Sequence, residues 1–207
     1  MRFSFLLPLV AALFALAAPA GAAPLVGDTQ MPYSAERVVT TNGKTYEGKI
    51  YAAPGMQRHE QVVNGIPMIA ILRADRDVAW LIVPGLHVYA EFAFPKAVTE
   101  YDGRKALGPP VGIDTVAGLK SERYRVEHEG TDGSALDGWV WLTEAGIVTK
   151  IDGTYLSTKK KELKASYALH DIKLGPQDPA LFDVPHDVKK MPPEMVQGLL
   201  SLQMPKH

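Results

Sequence analysis

The chain has 207 residues, 46% of them hydrophobic and 22% charged, with a net charge of −1 and no cysteine. Such a composition excludes a disordered chain, a collagen and a coiled coil. The missing cysteine excludes disulfides, thiolate metal sites and a cysteine nucleophile, and a near-neutral chain offers nucleic acid no electrostatic footprint.

Met1 to Ala22 has the form of a signal peptide. Arg2 is its positive start, Phe3 to Ala18 its apolar core, and Ala20-Gly21-Ala22 its small-residue cleavage site. The apolar core is short for a membrane span, and Pro19 and Gly21 close it. Cleavage leaves residues 23–207 as a single domain with 21 basic against 23 acidic residues. No later segment approaches the roughly 18 apolar residues of a span, so a periplasmic protein without stable membrane insertion is expected.

From Tyr33 onward the texture is of period two, punctuated by turns. Strands are predicted over Tyr33 to Thr41, Lys44 to Ala52, Met56 to Val63, Ile66 to Ala74, Val78 to Val83 and His87 to Phe94. Asn42-Gly43, Pro54-Gly55, Asn64-Gly65, Asp75-Arg76-Asp77 and Pro84-Gly85 separate them. Met56 to Val63 is polar on both faces and is expected at a solvent-facing edge. Ile66 to Ala74 and Val78 to Val83 are nearly all apolar, so both faces of the sheet must be covered there. A helix, an opposite wall or an apolar ligand would serve. Pro95 to Pro110 is irregular. Strands resume over Leu119 to His128, Gly138 to Thr143, Ile147 to Leu156 and Leu163 to Leu174. Asp178 to Pro185 reads as a short extended piece. From Pro192 a helix is predicted, with Met195, Val196, Leu199 and Leu200 on one face.

About ten strands at such spacing curl or close. The expected fold is mainly β (α+β), a strongly curved antiparallel sheet or open half-barrel with one to three helices covering its concave side.

The sequence carries no catalytic motif. His59-Glu60 and His128-Glu129 are strand neighbours, so their side chains point to opposite faces and cannot share a metal. No serine sits in Gly-x-Ser-x-Gly. No glycine-rich loop opens a helix. No enzyme activity, metal or other cofactor is expected. The aromatics say more. Trp139 and Trp141 are two apart and share a face. With Trp80, Phe92, Phe94 and Tyr155 they are the candidate lining of an apolar ligand cavity, the place where curved sheets bind ligands.

Three stretches carry a resemblance. They are Gly118-Leu119-Lys120-Ser121-Glu122-Arg123-Tyr124-Arg125-Val126, Gly138-Trp139-Val140-Trp141-Leu142 and Gly146-Ile147-Val148-Thr149-Lys150-Ile151. Together they resemble the second half of the LolA/LolB-like outer-membrane lipoprotein carrier superfamily. Asp178 to Pro185 is similar to its closing segment and Tyr33 to Tyr51 to its opening hairpin. The resemblance implies an incomplete barrel closed by helices, with an apolar cavity for acyl chains. It also implies an arginine near the first strands that holds a lid; Arg37 and Arg58 lie in that region. The expected ligand is a lipid or acylated protein. The alternative is an interaction or sensor module on the same scaffold, with an envelope protein as partner.

Overall fold

A computed structural model describes residues 29–41, 43–93, 107–129, 135–156 and 162–203. Their strands form one sheet of 12 that curves without closing. β1 (Tyr33–Thr41), β2 (Lys44–Ala53), β3 (Met56–Val63), β4 (Ile66–Arg73), β5 (Val78–Val83) and β6 (Val88–Ala93) make one antiparallel meander. β7 (Gly112–Val116), β8 (Leu119–Glu129), β9 (Ala135–Leu142), β10 (Val148–Leu156) and β11 (Glu162–Leu174) make another. Pairing of β1 with β11 joins the two. The two-residue β12 (Lys189–Lys190) adds in parallel to β6, and the chain continues into the helix α1 (Pro193–Gln203).

The punctuation explains the meander. Asn64 and Gly65 take φ of 51° and 83°, the left-handed pair that a two-residue hairpin requires. Two strands exceed the expected ten. β7 is only five residues long and β12 two, too short for alternation to show. The segment from Asp178, expected to be extended, contains the 3-10 turn Pro179–Phe182. The Asp178 carboxylate caps it by accepting from the Ala180 N–H at 2.9 Å.

Register divides the side chains into two faces. The inner face carries Tyr33, Ala35 and Val39 of β1, Ile50 and Ala52 of β2, and Tyr124, Val140, Leu142, Val148, Tyr167 and Leu169 of β8 to β11 in one core. A second core on the same face joins Val63, Met68, Ala70, Leu81, Val83, Val88 and Ala90 to Val196 and Leu200 of α1. Burying those two helical side chains contributes about 1.5–3 kcal/mol each. An isolated helix of 11 residues would be marginal in water, so α1 exists through this docking.

On the outer face Ile71, Trp80 and Ile82 pack under Val184 and Val188. The doubly apolar β4 and β5 are therefore covered by protein on both sides. A strap over residues 178–188 lies on the outer face and α1 on the inner. Three arginines pin the strap: Arg58 donates to the Leu181 carbonyl at 3.1 Å, Arg73 to the Phe182 carbonyl at 3.0 Å and to Asp183 at 2.8 Å, and Arg76 to Asp183 at 2.9 Å.

β3 is not an edge. It lies between β2 and β4 with Gln57, His59 and Gln61 buried. Its inner face is polar because those three side chains bond one another and Arg37. The sheet ends instead at β7 on one side and at β12 on the other.

Candidate functional site

Between the two apolar cores the inner face holds a polar cluster. Arg37 stands on β1 in alternation with Tyr33, Ala35 and Val39. Its cross-strand neighbour on β2 is Gly48, and the next on β3 is Gln61. The glycine puts no side chain between them, so the guanidinium crosses β2 and reaches β3. A Cβ at position 48 would press into the Glu60 carbonyl oxygen and stand 3.0 Å from Cβ of Gln61. Glycine is required here by close approach, not by its backbone angles.

Arg37 is 3% exposed. One Nη donates to Nδ1 of His59 at 3.0 Å and the other to Oε1 of Gln61. An arginine can only donate, so Nδ1 of His59 is bare and the ring proton sits on Nε2. That N–H donates to Oε1 of Gln57 at 3.0 Å. The histidine is thereby held neutral. Burial, and then the charge of Arg37, push its pKa well below the ordinary 6.5. Burial also lowers the pKa of Arg37, against the Tyr167 and Tyr33 hydroxyls that raise it. Both of those phenols titrate above their ordinary value because of burial.

The cluster is incomplete. Among the described residues Nε of Arg37 and Nε2 of Gln61 are buried donors with no acceptor. Among the described residues no carboxylate pairs with Arg37; its hydrogen-bond partners are neutral. A buried guanidinium without a counter-charge costs stability, and each unmet buried donor costs about 1–3 kcal/mol more.

The aromatic residues expected to line one cavity are divided between the faces. Phe92 is on the inner side, packed against the α1-bearing core. Trp80 is on the outer side under the strap, and its Nε1 donates to Glu91 at 3.0 Å. Trp139 and Trp141 do share a face, as alternation requires, but it is opposite Val140 and Leu142, which belong to the inner core. Phe94 and the side chain of Tyr155 lie outside the described residues.

The two indoles on the outer face sit among cations. The Arg123 and Arg125 guanidinium carbons are 5.4 and 5.0 Å from the ring centre of Trp139, and Lys150 Nζ is 4.5 Å from that of Trp141. Trp141 Nε1 donates to Asp114 at 2.8 Å. Asp114 also pairs with Arg123 at 3.3 Å, and Asp137 with Arg125 at 2.6 Å. Arg123 and Arg125 are thus ion-paired, unlike Arg37. Among the described residues no group of three or more His, Asp or Glu side chains could hold a metal ion.

Sequence pattern alone does not single out the polar cluster, although its signals are present. Arg37 breaks the apolar alternation of β1, and Gln57, His59 and Gln61 repeat at period two on β3. Only register shows that these two irregularities meet.

No family model matches the sequence, and no curated protein matches it. Solved structures do. An uncharacterised conserved protein of Thermus thermophilus superposes with a TM-score of 0.53 at 13% identity, over 80% of this chain and 92% of that one. A chain of the MucA/MucB complex of Pseudomonas aeruginosa gives 0.49 at 15%, over 79% of this chain and 59% of that one. The LolA superfamily protein NE2245 of Nitrosomonas europaea gives 0.41 at 9%, over 75% and 91%. The likeness to the Thermus protein is one of fold.

Proposed function

We propose that this is an exported, periplasmic binding protein that holds a lipid-like or acylated ligand against the inner face of its open sheet, without catalysis. The observation that carries this reading is the unfinished cluster around Arg37. Departures from local stability rules concentrate at functional sites. Here a buried cation and two unmet donors interrupt a face that is otherwise apolar. An apolar chain suits the flanking cores. The signal-peptide pattern and the resemblance to the lipoprotein carriers support the same reading. Among the described residues no helix is long and apolar enough to cross a membrane. Native mass spectrometry and lipid extraction of the exported protein test the proposal. A co-purifying acyl species is expected; a homogeneous empty protein that takes up no added acyl ligand overturns it.

A second reading has its own observation. β7 ends the sheet, and beside it Val111 and Ile113 are 53% and 59% exposed. An unpaired edge with apolar side chains accepts an added strand from a partner. The solvent-facing edge expected at Met56 to Val63 is thus found at β7 instead. Recovery of one stoichiometric envelope protein and no lipid would favour this reading. Loss of that partner on Ile113→Lys would place it at this edge.

A further inference from the structure

We infer that the inner-face ligand bears a singly charged oxygen anion, a carboxylate or phosphodiester head on an apolar chain, that Arg37 and Gln61 bind. This rests on the proposed binding function and specifies the chemistry of its ligand.

Donors and charges in the cluster do not balance. Arg37 Nε and Gln61 Nε2 belong to side chains already joined through the Arg37 Nη to Gln61 Oε1 bond, so the two unmet donors are neighbours. Both need an acceptor. No other group among the described residues meets them. Nδ1 of His59 already accepts from Arg37, and Oε1 of Gln57 accepts from His59. One guanidinium carries one positive charge, and the cluster adds no other: His59 is held neutral and the glutamines are uncharged. An oxyanion with one negative charge balances it, and its two oxygens can take the two donors. A more highly charged head would leave a buried excess. The setting selects the rest of the ligand. Apolar cores lie on both sides of Arg37, so an anion arriving without a chain would lose its hydration and gain no apolar contact.

The test uses the full chain, delipidated, with palmitate, methyl palmitate and dipalmitoylphosphatidylglycerol as probes, read by calorimetry and native mass spectrometry. Palmitate should bind at least tenfold more tightly than its ester, and Arg37→Met should remove that preference. Gln61→Glu gives a second variant that does not depend on how Arg37→Met folds. It supplies the missing carboxylate from within, so Tm should rise and palmitate affinity should fall at least tenfold. Arg37-dependent binding of the phospholipid in place of palmitate assigns the phosphodiester as the head. Equal, Arg37-independent binding of acid and ester overturns the head-group inference and leaves the acyl-binding reading standing. A preference that survives Arg37→Met places the anion elsewhere and overturns it as well. If no probe binds to wild type, both readings fail.

Discussion

Arg37 and Arg73 are almost equally buried, at 3% and 5% exposure, yet they are equipped in opposite ways. Arg73, on the outer face, meets Asp75 at 2.7 and 2.8 Å, Asp183 at 2.8 Å and the Phe182 carbonyl at 3.0 Å. Its hydrogen bond to Asp75 heads the causes that raise its pKa, while burial lowers that of Arg37. One guanidinium is saturated by its own chain and fastens the strap. The other meets only neutral partners and keeps a bare donor. The contrast separates an arginine whose charge its own chain neutralises from one left, among the described residues, with neutral partners and a donor to spare.

Four measurements can break or sharpen that contrast. The largest effect is expected at Arg73. Arg73→Met removes the cation that Asp75 and Asp183 share, leaves Asp183 with Arg76 alone at 2.9 Å, and frees the strap from β4. It should cost about 3 kcal/mol by urea denaturation and expose the apolar surface of Ile71, Trp80 and Ile82 to a hydrophobic dye. A loss below about 1 kcal/mol would show that the strap docks without it.

Gly48→Ala should cost about 1–3 kcal/mol. The new methyl meets a backbone carbonyl rather than the flexible end of a side chain. An unchanged denaturation midpoint would mean that β2 and β3 can separate, and the path of Arg37 across β2 would lose its explanation.

His59 makes the contrast visible in pH. Around it lie Arg37 from β1 and Gln57 and Gln61 from β3, with Ile50 and Ala70 opposite it on β2 and β4. Its folded pKa lies well below the unfolded value of 6.5, so the unfolded chain binds the proton first. Its stabilising share is complete above pH 6.5 and is lost as pH falls below that value toward the folded pKa. The slope cannot exceed about 1.4 kcal/mol per pH unit for one proton. His59→Gln should flatten the fall of Tm as pH drops below 6.5; an unaltered profile would place the proton uptake elsewhere.

The smallest change is expected at Arg37 itself. Arg37→Met removes an uncompensated buried charge and leaves two acceptors unmet, terms of opposite sign. A net change within about 1 kcal/mol is expected. A loss as large as that of Arg73→Met would show that Arg37 is structural and erase the comparison.

Much of the fold is legible in the sequence because the period of two is strong where one face is buried. Tyr33–Thr41 and Val78–Val83 end where turn residues end them. Val196 and Leu200 sit at helical spacing and dock as such. The site is not legible, for two reasons. Trp139-Val140-Trp141-Leu142 is apolar on both faces, so alternation groups the indoles correctly without saying which face is inward. Gln57, His59 and Gln61 look like a wet edge until pairing with β2 and β4 encloses them. Polarity in a strand signals solvent only when no neighbouring strand brings a polar partner.

The strap, β12 and α1 follow, in the sequence, every strand they cover. They run from the outer face, around β6 where Lys190 meets Glu91 at 2.6 Å, to the inner face. Closure is therefore a separate matter from strand pairing. β1 to β11 can pair while both apolar sides of β4 and β5 stay bare, and among the described residues only the stretch from Asp178 on sheathes them. A polypeptide stopped at residue 177 would be a nearly finished sheet with two adhesive surfaces. Docking of that last stretch, more than the pairing of strands, encloses the two apolar sides of β4 and β5.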